Sequence, residues 1–215
     1  HLVIKLYEND NIAWTGYYWD KLGGIIDASS FATKEEVDKQ SITINDHTLA
    51  LERLKYYGDP NIVPTDISSF TYKDNGDGTC YITEYKDGQD WKTVVIPYKI
   101  DNMEVTSIGD RAFYGKQVAK VVIPSSVTSI GSSAFVYCNI KEIDIPSSVT
   151  SIGEYAFDNC DIKEIDIPSS VTSIGNHAFN YCSNLAEVII SSKTLSTIGE
   201  NIFFECNSLK KIIIS

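Results

Sequence analysis

From Val105 to the C-terminus the apolar positions return in phase at a spacing too long for one helix or one strand. Val105-Thr-Ser-Ile-Gly109 recurs as Val127-Thr-Ser-Ile-Gly131, Val149-Thr-Ser-Ile-Gly153, Val171-Thr-Ser-Ile-Gly175 and Leu195-Ser-Thr-Ile-Gly199, in steps of 22, 22, 22 and 24 residues. Each copy leads into Ala112-Phe113, Ala134-Phe135, Ala156-Phe157, Ala178-Phe179 or Ile202-Phe203. A second motif sits between copies: Val121-Val-Ile-Pro124, Ile143-Asp-Ile-Pro146, Ile165-Asp-Ile-Pro168, Val188-Ile-Ile-Ser191 and Ile212-Ile-Ile-Ser215. Apolar residues here, with Val118, Ile140, Ile162, Leu185 and Leu209 before them, point inward and their neighbours point out, the alternation of a short strand. Proline closes that strand without removing a needed donor. The Val-Thr-Ser-Ile segment is a second extended piece, its glycine is expected to permit a tight bend, and the residues through Ala-Phe to form a turn of helix burying the ring. A unit that cannot bury its own apolar side stacks on copies of itself, so the period predicts a solenoid.

Residues 1–68 lack the repeat. Leu2 to Tyr7 has the composition of a strand, Trp14, Tyr17, Tyr18 and Trp19 form an aromatic cluster, and Gly23-Gly24 interrupts the chain. Thr33 and Glu36 have capping-box spacing, and Asp46 is placed to cap a second helix running through Leu49, Leu51 and Leu54 to Gly58, with Pro60 beyond. After Pro64 and Ser68-Ser69, two strands flank Asp74-Asn-Gly-Asp-Gly78, and a turn at Asp87-Gly88 leads to a third, Trp91 to Ile96. The expected organisation is a mixed α+β region over 1–68, a β lead-in covering the core over 69–97, and five repeats over 98–215.

The formal net charge of −11 in 215 residues argues against nucleic acid and anionic membranes as partners, and no run of about 18 apolar residues predicts a membrane span. The chain opens at His1 without Met or a charged leader, as a processed or trimmed chain would. Five cysteines do not suit a disulfide framework. Cys138, Cys160, Cys182 and Cys206 share one phase and are expected to form a buried ladder, because a line of thiols without a Cys-x-x-Cys pair cannot make a tetrahedral metal site. Cys80 stands apart in the lead-in. Asn75, Asp77, Gly78 and Glu84 partly fit a calcium loop, but Lys73 occupies its first ligand position and the flanks read as strands, so a hairpin is expected. His177 falls at a phase read as surface, and neither it nor His47 has a nucleophile or carboxylate at a local spacing. No catalytic constellation or cofactor motif emerges.

The run Ile-Pro-Ser-Ser-Val-Thr-Ser-Ile-Gly-x-x-Ala-Phe-x-x-Cys closely resembles the BspA-type leucine-rich repeat of bacterial surface proteins, over residues 94–215. The resemblance implies an α/β solenoid, right-handed, with a parallel sheet on its concave side. It also implies an exported, extracellular or cell-surface location and non-catalytic binding of host matrix or other cell-surface proteins, and it brings no catalytic residues and no cofactor. On the concave strands the outward phases carry Glu142, Asp144, Glu164, Asp166 and Glu187 in the middle, Lys120 and Lys211 toward the ends, and Val122, Ile189 and Ile213 beside them. This acidic strip is the candidate receptor for a basic segment or a divalent cation, Lys141 and Lys163 partly neutralising it otherwise. The competing reading places carbohydrate or cell-wall binding on Trp14, Tyr17, Tyr18 and Trp19, with the repeats as spacer. The plainer role for those rings is the core or cap of a small domain. The apolar array end at Ile212 to Ile214 is a candidate for self-association.

Overall fold

The computed structural model describes residues 48–86, 92–191 and 195–214. The expected strand at Leu2 to Tyr7, the glycine break at Gly23-Gly24, the helix start at Thr33, the caps at Asp46 and the turn at Asp87-Gly88 lie outside the described residues. The chain divides into two compact units, 1–54 with 59–61, and 55–58 with 62–215. Residues 48–57 are helical, and Gly58, at φ 71°, ends the helix in the left-handed conformation that glycine adopts without steric cost.

In the larger unit, β1 (Phe70–Asp74) and β2 (Thr79–Tyr85) form the expected hairpin. Asp74 and Asp77 each accept a backbone N–H two residues on, from Gly76 and Thr79, which is turn chemistry. The third lead-in strand, β3 (Lys92–Val95), does not continue this hairpin: it pairs instead with β6 (Val118–Val122) in a different sheet. Between them β4 (Lys99–Ile100) turns back onto β5 (Met103–Ile108), and β2 runs parallel to β5.

Each coil then contributes to two parallel stacks rather than one concave sheet. The Val-Thr-Ser-Ile corner supplies β5, β7 (Ser129–Ile130), β9 (Ser151–Ile152), β11 (Ser173–Ile174) and β13 (Thr197–Ile198) in one ladder continuous with the hairpin. The other face holds β3, β6 and β8 (Glu142–Asp144), followed by β10 (Glu164–Ile167), β12 (Glu187–Ile190) and β14 (Lys211–Ile214). The inward phases read from the sequence are buried in the interior coils, including Ile140, Ile162, Leu185, Ile143 and Ile165.

The expected helical turn is absent, so the architecture is a β-solenoid with little helix rather than an α/β one. After each glycine the chain makes successive β-turns in which Arg111, Ser133, Tyr155, His177 and Asn201 take left-handed backbone angles, as do Gly115, Tyr137, Asn159, Tyr181 and Glu205 four residues later. A helix would spend its N–H groups on its own carbonyls. Here the N–H of Ser133, Phe135 and Tyr137 bond Glu154, Ala156 and Asp158 in the following coil, and those of Tyr155, Phe157 and Asn159 bond Asn176, Ala178 and Asn180. The buried backbone is thereby satisfied between coils.

The corner glycine also has a different reason from the one expected. Gly131, Gly153, Gly175 and Gly199 do not have positive φ. A Cβ added at Gly153 would lie 2.6 Å from the carbonyl carbon of Gly131, and one at Gly175 2.4 Å from the nitrogen of Glu154. Close approach of neighbouring backbones excludes any side chain.

Along the axis the phenyl rings stack, with centroids 5.0 Å apart for Phe113–Phe135, 5.2 Å for Phe135–Phe157 and 5.1 Å for Phe157–Phe179. Tyr85 of the hairpin extends this stack onto Phe113 at 5.2 Å, and its N–H bonds Ala112, so the lead-in covers the first coil as a substitute coil. On the other flank Tyr56 stacks on Tyr98 at 4.4 Å and donates to Glu104. Tyr57 donates to the Ile96 carbonyl. Residues 55–57 thus belong with the lead-in.

Candidate binding surface

The alternation in β8, β10 and β12 turns Ile143, Ile165, Ile167, Val188 and Ile190 into the core and the residues between them out, so Glu142, Asp144, Glu164, Asp166 and Glu187 share one face. They line a shallow, open concavity of about 450 Å³ together with Lys120, Lys141 and Lys163. Lys120 Nζ donates to Glu142 Oε2 at 3.1 Å, and Lys211 Nζ to Glu187 Oε1 at 3.0 Å. Each of these exposed pairs contributes between about 0 and 1 kcal/mol. The lysines expected near the two ends therefore neutralise the outer glutamates, and among the described residues Asp144, Glu164 and Asp166 make no ion pair. Glu164 stands directly opposite Glu187 in the β10–β12 register. The hydrogen-bonded ladder is interrupted between β8 and β10, where Glu142 and Asp144 meet Glu164 and Asp166. Val122, Ile189 and Ile213 are half-buried on the same face.

The four cysteines of the repeat are free and buried, and each spans two coils. Cys138 Sγ donates to the Phe113 carbonyl at 2.9 Å, Cys160 to Phe135, Cys182 to Phe157 and Cys206 to Phe179, each of these at 3.1 Å. Burial pushes the Cys138 and Cys182 thiols up to about 12, and Cys160 well above the usual thiol value. Such thiols are not nucleophiles near neutral pH.

His177 is not a free surface group. Its ring stacks on Tyr155 with centroids 4.7 Å apart, and its Nδ1 is buried. In the hairpin, Glu84 sits on β2 and reaches Lys116 at 3.5 Å. Trp14, Tyr17, Tyr18, Trp19 and His47 lie outside the described residues. Among the described residues no helix is long and apolar enough to cross a membrane.

One feature escaped the sequence reading. Tyr114, Tyr137, Tyr181 and Phe204 are exposed on the turn edge, as pairs with centroids 5.8 Å apart for Tyr114–Tyr137 and 5.9 Å for Tyr181–Phe204. The tyrosine before Cys138 and Cys182 was the available signal, hidden because Gly115 and Asn159 occupy that phase in other coils.

Comparison with known proteins agrees with this geometry. The sequence model of the BspA type leucine rich repeat region matches residues 106–215 in six copies. No curated protein matches the chain. Among solved structures, a leucine rich cell surface protein of Faecalibacterium prausnitzii is 31% identical with a TM-score of 0.60, over 67% of this chain and 37% of its own. The pneumococcal vaccine antigen PcpA is 24% identical with a TM-score of 0.55, over 72% of this chain and 50% of its own. The Treponema pallidum leucine rich repeat protein is 23% identical with a TM-score of 0.52, over 69% and 91% respectively. The present chain thus spans about a third of the length of the Faecalibacterium protein and half that of PcpA. With its period, its coil geometry and more than half its length matched, the chain belongs to the BspA-type leucine-rich repeat family.

Proposed function

We propose that this chain is a non-catalytic, protein-binding module of a bacterial surface or secreted protein, and that the acidic strip receives a basic segment of its partner. The observation carrying this reading is the distribution of charge on one face. Lysines neutralise the outer glutamates, while Asp144, Glu164 and Asp166 stand exposed without an ion pair among the described residues. Holding like charges on neighbouring strands costs stability that the fold does not recover. A cationic segment laid across β8, β10 and β12 would recover it. The half-buried Val122, Ile189 and Ile213 beside the charge give such a partner apolar anchorage. The surface location is supported by the Faecalibacterium relative, which is a cell surface protein.

The test is binding of the intact chain, and of a variant carrying Glu142→Gln, Asp144→Asn, Glu164→Gln and Asp166→Asn, to a panel of matrix proteins and basic peptides at two salt concentrations. Binding that weakens at least tenfold in the variant and falls with added salt is expected. Protein binding indifferent to both would remove the strip from the function.

A further inference from the structure

The large aromatic side chains exposed among the described residues, Tyr114, Tyr137, Tyr181 and Phe204, are 47%, 51%, 49% and 49% accessible, and all four lie on the turn edge. Two of them stand where the backbone does not favour them. Tyr137 and Tyr181 have φ of 59° and 54°, the left-handed region in which a Cβ crowds its own carbonyl. Other coils place Gly115, Asn159 and Glu205 at this position, and glycine and asparagine are the residues that tolerate it best. Each ring meets one aromatic of the neighbouring coil edge-on and leaves about half its surface open, so packing offsets only part of that cost.

The gap between the two aromatic pairs is polar. Asn159 is exposed in it, and Asn180 Nδ2 donates to Asp158 Oδ1 at 2.9 Å. Asn180, 6% accessible, keeps an Oδ1 without a donor. Asn180 Oδ1 is buried, so the groups that this gap presents to hydroxyls are the Asp158 carboxylate and the Asn159 amide. Phe135–Phe157 and Phe157–Phe179 spacings of 5.2 and 5.1 Å mean that Tyr137 and Tyr181, two coils apart, are separated by about 10 Å along the axis. Two sugars of an extended β-1,4-linked glycan advance by about the same distance. A single file of rings is also narrower than the patch of about 800 Å² that one side of a stable protein interface buries.

We propose that the turn edge is a glycan-binding ridge, on which Tyr137 and Tyr181 stack against alternate pyranose faces of a neutral, β-1,4-linked polysaccharide while Asp158 and Asn159 accept from its hydroxyls. The ridge lies on a different face of the coil from the acidic strip and is independent of it. It needs none of Trp14, Tyr17, Tyr18 and Trp19.

The test titrates the full chain calorimetrically with cellohexaose and chitohexaose, with isomaltohexaose as the control. One of the β-1,4 hexaoses is expected to bind and the control not. The double variant Tyr137→Asn, Tyr181→Asn should bind at least tenfold more weakly while melting at the same or a higher temperature, since asparagine suits the backbone better. The fourfold strip variant should bind the hexaose as the wild type does, which keeps the two surfaces distinguishable. The proposal is overturned if neither hexaose binds or if the double variant stays within twofold of wild type. A double variant that melts lower would likewise overturn it, returning the rings to a structural role.

Discussion

The thiol of Cys160 donates to the carbonyl of Phe135, one coil back, at 3.1 Å, and that same carbonyl also accepts from the backbone N–H of Cys138. The cysteine column is thus a set of side-chain tethers running between coils, made by a residue small and apolar enough to stay in the core. It follows that a thiol reagent should leave Cys138, Cys160 and Cys182 unmodified until the protein unfolds. Cys206, at the array's last coil and 8% accessible, should react first. Labelling kinetics followed by mass spectrometry check this, and rapid native modification of Cys160 would contradict the packing.

The same burial sets an alkaline limit. Below pH 9 the thiols are protonated folded and unfolded, so their contribution is fully present. Above the usual value of 9.0 the unfolded chain releases protons, while Cys138 and Cys182 hold theirs until about 12. Stability should therefore fall between pH 9 and 12, each thiol contributing up to about 1.4 kcal/mol per pH unit. Urea midpoints at several pH values report the slope, and Cys138→Ala with Cys182→Ala should make it shallower, the remainder coming from Cys80, Cys160 and Cys206.

Replacing Gly153 with alanine should destabilise the fold. At an open position glycine to alanine gains roughly 0.4–1 kcal/mol through the unfolded chain. Here the new Cβ would meet backbone at 2.6 Å from both Gly131 and Ser132, which cannot swing aside as a side chain would. The expected net loss is about 1–3 kcal/mol, as for other overpacked sites, read from equilibrium unfolding.

Neutralising one central carboxylate should do the reverse. Glu164→Gln removes the like charge opposite Glu187, whose ion pair with Lys211 offsets part of the repulsion, so the gain is at most about 1 kcal/mol. The melting temperature should rise by roughly 1–4 °C. Added salt should raise the wild type more than the variant, because screening removes the same repulsion. A variant that melts lower would mean that Glu164 holds the strands together.

The period and the inward phases were legible because the coils repeat them: Ile143 and Ile165 stand at one phase, and stacking buries both. The turn was not. Ala156-Phe157 after a glycine reads as the start of a helix, and nothing in Tyr155 or His177 announces a left-handed backbone. That conformation is fixed by hydrogen bonds to the next coil, such as Tyr155 N–H to the Asn176 carbonyl, a relation between distant residues that no local propensity encodes. The acidic strip followed from alternation, but the ladder break between β8 and β10 did not, since it arises from strands of different coils. For residues 55–57, polar and aromatic composition gave no hint that Tyr56 and Tyr57 clasp Tyr98 and Ile96.

The hydrogen bonds between coils run in opposite senses on two sides of the array. At the corner, the N–H groups of Thr150 and Gly153 bond backward to Thr128 and Ile130. At the turn, those of Tyr155 and Phe157 bond forward to Asn176 and Ala178. The dipoles of these two rows therefore oppose each other along the axis and offset each other as coils are added, unlike the aligned dipoles of a lengthening helix. The outer edge of any coil is also keyed: it offers donors at the turn and acceptors at the corner. Another coil laid in the same direction meets both rows at once, and one laid in reverse over the same positions would set donor against donor.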